Sequence, residues 1–375
     1  MGESYAQILD RAVAGNRISS AEAVLLFDVP LLELGWAADA CCRRLHPSAT
    51  RTFLIGRNIN YSNVCISGCA FCAFFRGGAH PEAYVLAIEK ILEKVGEMVA
   101  AGGTEMLLQG GLHPELPLSW YMELFRAVAA AFPTVQIHAL SPSEVTHLAQ
   151  RETLATVAVL QCLQSAGLAS IPGGGAEILV ERVRSRISPR KCTAAQWLAV
   201  MREAHQLGMP TTATMMYGHI ETLAERIEHL ARLRALQDET GGFIGFIPWP
   251  FQPGNTPLAR QLSRPPALGG DEFLRMLAIS RLYLDNIPNL QSSWVTQGVK
   301  LGQMGLAFGA NDLGSTMMEE HVVRAAGTVF TSNADELARC IRDMNFVPAQ
   351  RTTTYQIVRE WPTFCVTNVS MGASS

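Results

Sequence analysis

Eight short apolar runs, at residues 52–55, 105–108, 135–139, 169–171, 211–216, 243–247, 290–293 and 312–316, alternate with longer amphipathic stretches. This alternation constrains the fold more than any other feature of the chain. The intervening stretches, at 81–101, 120–131, 144–166, 194–207, 223–237, 271–285 and 297–308, carry apolar residues at helical spacing. Strands separated by helices of this length pair in parallel, because the helix returns the chain to the same end of the sheet. The expectation is an α/β fold, and eight repeats permit closure into a TIM-like (β/α)8 barrel over 51–330. An open or partial barrel is the alternative, since the last run holds only Leu313 as a strong strand former. With 48% hydrophobic and 17% charged residues, the chain has ample material for a large core and little for disorder.

Residues 1–50 read as an N-terminal helical cap: Ser19-Ser-Ala-Glu22 has the form of a capping box, and 21–27 and 31–38 have helical spacing. Residues 331–375 are expected to add a helix at 335–344 and a tail without clear periodicity, packed on the barrel. No linker rich in Gly or Ser divides the chain, and 263–270 reads as an excursion rather than a boundary. A net charge of −3 and a pI near 6.3 give no basic footprint, which argues against nucleic acid as a partner. No apolar stretch reaches the roughly 18 residues that a bilayer span needs. Met1-Gly-Glu-Ser-Tyr-Ala-Gln7 also lacks a basic region followed by an apolar core, so a cytoplasmic protein without membrane insertion is expected. Cys41, Cys42, Cys162, Cys192, Cys340 and Cys365 show no disulfide-framework spacing and fit a reducing compartment.

The other three cysteines carry the strongest chemical signal. In Asn63-Val-Cys-Ile-Ser-Gly-Cys-Ala-Phe-Cys-Ala-Phe-Phe-Arg76, Cys65, Cys69 and Cys72 stand at C-x3-C-x2-C spacing on one short loop. Three thiolates suit three irons of a 4Fe-4S cube and leave the fourth iron open for chemistry. A structural zinc site takes four Cys or His ligands, often as two pairs, and no second pair follows at a plausible distance. A ferredoxin run ends in a fourth cysteine before proline, and none is near. Chance clustering is a weak rival, because nine cysteines in 375 residues would rarely take this spacing beside an aromatic at Phe71.

Functional groups of a barrel come from the C-terminal ends of its strands. Strand one runs into the cysteine loop, and the next four end in Gln109-Gly-Gly-Leu-His-Pro114, His138-Ala-Leu-Ser-Pro-Ser-Glu144, Pro172-Gly-Gly-Gly-Ala-Glu177 and Tyr217-Gly-His-Ile-Glu221. The last three end in Pro248-Trp-Pro-Phe-Gln252, Gln291-Ser-Ser-Trp294 and Asn311-Asp312, so all eight ends would face one mouth. Plainer readings stand beside these: glycine turns are ordinary, Ser141 to Glu144 also reads as a capping box, and His138 and His219 fit structural roles. Trp249 and Trp294 either pack or line a pocket for an aromatic substrate.

The pattern C-x3-C-x-aromatic-C resembles the radical S-adenosylmethionine (radical SAM) superfamily. That resemblance implies a radical SAM barrel, a 4Fe-4S cluster and S-adenosyl-L-methionine (SAM) as cofactors, with Cys65, Cys69 and Cys72 as ligands and Phe71 on the adenine side. Gln109, Gly110 and Gly111 stand where the family binds the methionine amino group; Leu112 replaces the usual acidic residue, which points to a backbone contact. Glu177 matches a further SAM contact. The loop interior, Ile66-Ser-Gly68 and Ala70, lacks the lysines associated with relatives.

Residues 51–351 more closely resemble the futalosine branch of menaquinone biosynthesis. Pro248-Trp-Pro-Phe-Gln-Pro253 and Gln291-Ser-Ser-Trp-Val-Thr-Gln297 point to its cyclase, whereas Gly173-Gly-Gly-Ala-Glu177 and Gln237-Asp-Glu-Thr-Gly-Gly242 are shared with sister synthases. Implied is an enzyme that removes the C4′ hydrogen from the ribose of a nucleoside-derived substrate and joins that carbon to a benzoate ring. Its implied partner is a one-electron reductant such as flavodoxin or ferredoxin. His219 and Glu221 are the candidates for taking the released proton, and His138, Ser141 and Ser293 for binding a substrate carboxylate. A sister radical synthase such as aminofutalosine synthase is the runner-up, and a non-catalytic iron-sulfur or zinc module is a distant third.

Overall fold

Strand β1 (Thr50–Leu54) and, after Ile55, β2 (Gly56–Ile59) form one continuous stave in the structure, a computed structural model that describes residues 4–262 and 268–361. The chain then lays down β3 (Glu105–Leu108), β4 (Gln136–Ala139), β5 (Leu168–Ser170), β6 (Thr211–Tyr217), β7 (Phe243–Pro250), β8 (Asn289–Leu290) and β9 (Asp312–Ser315). β2, β3, β4 and β5 pair in parallel order, as do β6, β7 and β8. Parallel bridges from Ile171 to Thr211 and from Gln291 to Asp312 join these runs, and β9 pairs in parallel with β1. The ring closes as a TIM-like barrel whose staves match the eight apolar runs. The last run, poor in strand formers, is held by its neighbours: Thr52 stands opposite Asp312 and Leu54 opposite Ser315.

The helices differ from expectation for local reasons. The first barrel helix starts only at Ile88, because Asn63 bonds the Glu82 carbonyl at 2.8 Å and the Tyr84 amide at 2.9 Å and holds that stretch as loop. The stretch 144–166 is two helices, Pro142–Glu152 and Thr156–Ser165, interrupted where Thr153 adopts a left-handed conformation. A short helix, Glu181–Ile187, lies where none was expected. The N-terminal helices Tyr5–Val13 and Leu31–Leu45 pack on Gly270–Tyr283, and the Ser19–Glu22 capping box forms.

Residues 347–351, read from sequence as aperiodic tail, form a strand. β10 (Val347–Arg351) pairs in parallel with β1, from Thr50 opposite Val347 to Phe53 opposite Gln350, and β11 (Ile357–Glu360) pairs antiparallel with β10. Periodicity fails here because both faces of β10 are covered: Pro348, Ala349, Gln350 and Arg351 are all buried. The chain then turns under the barrel. The Thr353 amide donates to Gln136 Oε1 and its hydroxyl to Glu105 Oε2, each at 2.7 Å. Arg351 pairs with Asp312 through two bonds, Nε to Oδ2 at 2.6 Å and Nη2 to Oδ1 at 2.8 Å. The pair is almost wholly buried, and Thr52 and the Gly314 amide also donate to Asp312. Together these contacts make a floor.

Most of the excursion at 263–270, and the end of the tail with Cys365, lie outside the described residues. Among the described residues no helix is long and apolar enough to cross a membrane.

Asp312→Ala would leave a guanidinium buried without its counter-charge, which costs about 3–5 kcal/mol. The expected readout is a lower urea midpoint at unchanged slope; an unchanged midpoint would show that the pair does not hold the floor.

Candidate active site

Period-two alternation turns every second strand residue inward. Asn58 and Asn60 from β2, Glu105, Leu107 and Gln109 at β3, His138 from β4, Thr212 and Thr214 from β6, and Trp249 from β7 line one cavity of about 360 Å³. Their neighbours Ile59, Met106 and Leu108 point outward and are buried under the helices. Barrel interiors of this type are ordinarily filled by branched apolar side chains. Here many of the inward residues are polar, and the interior is left as a chamber.

At its mouth stands the cysteine loop, with Cys65, Cys69 and Cys72 all lining the same cavity as free thiols. The loop is fastened from several sides: Ala70 N bonds Ile187 O at 2.8 Å, Ile66 N bonds Leu112 O at 3.0 Å, and Arg76 reaches the carbonyls of Ala73, Phe74 and Phe75. The Leu112 amide donates to Cys65 Sγ at 3.3 Å, and Ser67 Oγ lies 3.0 Å from Cys69 Sγ. Burial pushes the Cys69 thiol up to about 11 and raises that of Cys72 as well. Sulfurs so placed ionise when a cation stands beside them, as the irons of a cluster would. Three thiols turned into one cavity, with N–H groups on a sulfur, fit a cube held by three protein ligands.

Glu144 holds the neighbouring turn. Its Oε1 accepts from the amides of Gly110 and Gly111, each at 3.2 Å, and from the Tyr61 hydroxyl, while Oε2 accepts from the Ser141 amide at 2.7 Å. The capping box read from sequence exists, and the same carboxylate also clamps the glycine turn. Gly111 has φ +95°, and a Cβ there would stand 2.9 Å from Cys65 Sγ. Only glycine lets this backbone pass the sulfur.

Glu177, itself left-handed at φ 44°, meets Lys191 Nζ at 2.6 Å. Burial opposes its charge, but the Lys191 ammonium outweighs that and holds the carboxyl below the usual range. Lys191 also lies 5.3 Å from the Phe71 ring centre, so Phe71, Lys191 and Glu177 form one group beside the cysteines. Buried Arg184 fixes this loop through the carbonyls of Gly175, Ala176 and Cys192. Gln109 packs on Gly174, where a Cβ would come within 2.6 Å of its Nε2.

His138, Ser141 and Ser293 line the cavity, with His138 Nδ1 2.7 Å from Ser170 Oγ and its ring kept neutral by burial. His219 and Glu221 do not, a correction to their expected role as proton acceptors. The chain turns at Gly218 (φ +87°), and Glu221 folds back onto the amides of Gly218 and His219. Its carboxylate also contacts His219 Nδ1 at 3.0 Å and Arg226 Nε at 2.8 Å, and both side chains are fully buried in this closed network. Sequence reasoning passed over Lys191, which comes from a loop behind the unexpected helix. It also passed over Asn58 and Glu105, whose inward position β-alternation alone could have revealed.

Residues 59–233 match the model of the radical SAM superfamily, and 240–364 match that of the CofH/MqnC C-terminal region. The chain belongs to the radical SAM superfamily, whose members use a 4Fe-4S cluster and SAM. Within that superfamily it is 46% identical over 353 residues to the cyclic dehypoxanthine futalosine synthase of Halalkalibacterium halodurans, covering 94% of each chain. It is 40% identical over 359 residues to the aminodeoxyfutalosine synthase of Thermus thermophilus, covering 94% of this chain and 96% of that one. Among solved structures, methylornithine synthase superposes with a TM-score of 0.72 at 18% identity, over 91% of this chain and 97% of that one, which is a likeness of fold.

Gly111→Ala should block cluster assembly, since the added methyl meets both Cys65 and a strained φ. Iron and sulfide per chain after anaerobic reconstitution should fall to a small fraction of wild type; full loading would refute this account of the turn.

Proposed function

We propose that this chain is a radical SAM cyclase that converts dehypoxanthine futalosine to cyclic dehypoxanthine futalosine in menaquinone biosynthesis. The observation that carries the reading is a three-cysteine loop opening onto the barrel chamber, in a chain 46% identical to a synthase of that name. In the proposed reaction the ribose gives its C4′ hydrogen atom to the 5′-deoxyadenosyl radical, which becomes 5′-deoxyadenosine, and the carbon radical adds to the neighbouring benzoate ring. The adduct regains aromaticity by giving one electron to a one-electron acceptor, such as the oxidised carrier, and one proton to water. A 4Fe-4S cluster on Cys65, Cys69 and Cys72 would supply, when bound, the one-electron cleavage of SAM to methionine and a 5′-deoxyadenosyl radical.

The chain's own residues bind, orient and exclude water. Gln109 and the backbone of Gly110 and Gly111 hold the methionine end of SAM, with Glu144 fixing the turn. Lys191 keeps Glu177 ionised as an acceptor for donor groups of SAM, and Phe71 lies against the adenine. Ser141 and Ser293, at the strand ends, offer donors to the benzoate carboxylate, and His138 meets the substrate deeper in the chamber. Met317, Val322 and Val323 add apolar groups to the cavity wall. The proposed layout is a catalytic barrel at 51–330 flanked by the helical cap at 1–50 and the extension at 331–375. The electron comes from a carrier such as flavodoxin or ferredoxin, in the cytoplasm.

The test is to incubate reconstituted, reduced protein with SAM and dehypoxanthine futalosine and to measure 5′-deoxyadenosine and product mass. Stoichiometric 5′-deoxyadenosine with a product two hydrogens lighter than the substrate is expected. Absence of cyclic product under conditions that cleave SAM would move the chain to a sister synthase.

A further inference from the structure

The chamber floor holds a carboxylate that the proposed reaction has not used. Glu105 is buried, lines the cavity, and accepts one hydrogen bond among the described residues, from Thr353 Oγ1 at 2.7 Å. It has no ion-pair partner there, because the nearby Arg351 guanidinium is bound to Asp312 on two sides. Beside it on β2, Asn58 is also buried and lines the cavity; its Oδ1 is without a hydrogen-bond partner, and no side-chain bond to its amide occurs among the described residues. The two come from adjacent strands, with Gly56 opposite Glu105 and Asn58 opposite Leu107.

A buried carboxylate with spare acceptor capacity and an amide oxygen with none of its capacity used are each costly to leave unmet. Glu105 has only the Thr353 hydroxyl as a donor and Asn58 Oδ1 has none, and both residues line the same cavity. Glu105 starts β3 while Gln109 follows its end, so Glu105 lies about 13 Å along the strand from the glycine turn at about 3.3 Å per residue, and Asn58, level with Leu107, lies about half as far. A cofactor held at the cysteines and the glycine turn leaves that depth for a second molecule. With the Arg351 guanidinium taken up by Asp312, the floor offers acceptors and no free cation for a substrate carboxylate among the described residues, so the end of the substrate directed downward is one rich in hydroxyl donors. A carboxylate accepting from adjacent hydroxyls is also how ribose is commonly held in nucleotide sites.

We propose that Glu105 and Asn58 form a subsite that accepts hydrogen bonds from the vicinal hydroxyls of the substrate's sugar, which turns the benzoate end toward the mouth. This rests on the cyclase reading and assigns its substrate an orientation.

The experiment pairs protein and ligand deletions. Dissociation constants for dehypoxanthine futalosine and its 2′,3′-dideoxy analogue are measured anaerobically by calorimetry on reconstituted wild type, Glu105→Gln, Asn58→Ala and Thr353→Val. Glu105→Gln and Asn58→Ala should weaken the parent compound about tenfold or more, and the dideoxy analogue less than about twofold. Thr353→Val, which removes only the protein donor to Glu105, should leave the discrimination between the two ligands intact. Equal losses for both ligands in Glu105→Gln and Asn58→Ala, with wild type converting the parent, would overturn the subsite alone. Should Glu105→Gln fail to fold, Asn58→Ala decides, since its side chain supports no other residue through a hydrogen bond. A wild type that neither binds nor converts the parent would overturn the cyclase reading and this orientation together.

Discussion

A parallel barrel usually gains its closure from side chains that fill it, and this one is hollow, so closure depends on what happens beneath the hollow. There Arg351 meets Asp312 in a nearly dry, two-point contact. Taking both charges out of water is expensive, and further hydrogen bonds help offset that cost: Thr52 and Gly314 on the carboxylate, and the Thr352 carbonyl on the guanidinium. The pair ties β9 to β10 on either side of β1 and thereby lets polar groups above it face a cavity instead of a packed core.

The mouth works by a similar economy of few groups doing several tasks. One carboxylate, Glu144, caps a helix and fixes the glycine turn; one ammonium, Lys191, lies over Phe71 and keeps Glu177 charged. Neither is a step of chemistry. Each fixes an atom that is, and that is how a barrel rim supplies orientation without crowding the space between its loops.

Most of this could be read from the sequence, and the exceptions have physical causes. Strand runs were legible because parallel strands covered on both faces are continuous apolar stretches, and the cysteine loop because its spacing permits few other ligand sets. Position at a strand end was a good guide for Gln109, Glu177 and Ser293, which line the cavity. It misled for His219 and Glu221, because strand-end position does not say whether a loop opens outward or closes on its own amides, as this one does at Gly218. β10 was illegible because Pro348, Gln350 and Arg351 are poor strand signals, and their burial comes from partners far away in the chain. Lys191 belongs to a loop whose course depends on tertiary packing.

The strand that supplies the floor is synthesised long after the strand it pairs with. Thr50 pairs with Val347, so the first stave of the ring waits for a partner far along the chain, while β2 through β5 have neighbours close in sequence. Closing so long a loop carries a large entropic cost before any contact rewards it, which makes such pairings slow. During synthesis the cysteine loop, near residue 70, therefore emerges from the ribosome long before the space beneath it is sealed. Maturation has a built-in order, in which the chamber is finished from below only once Arg351 and Thr353 are present.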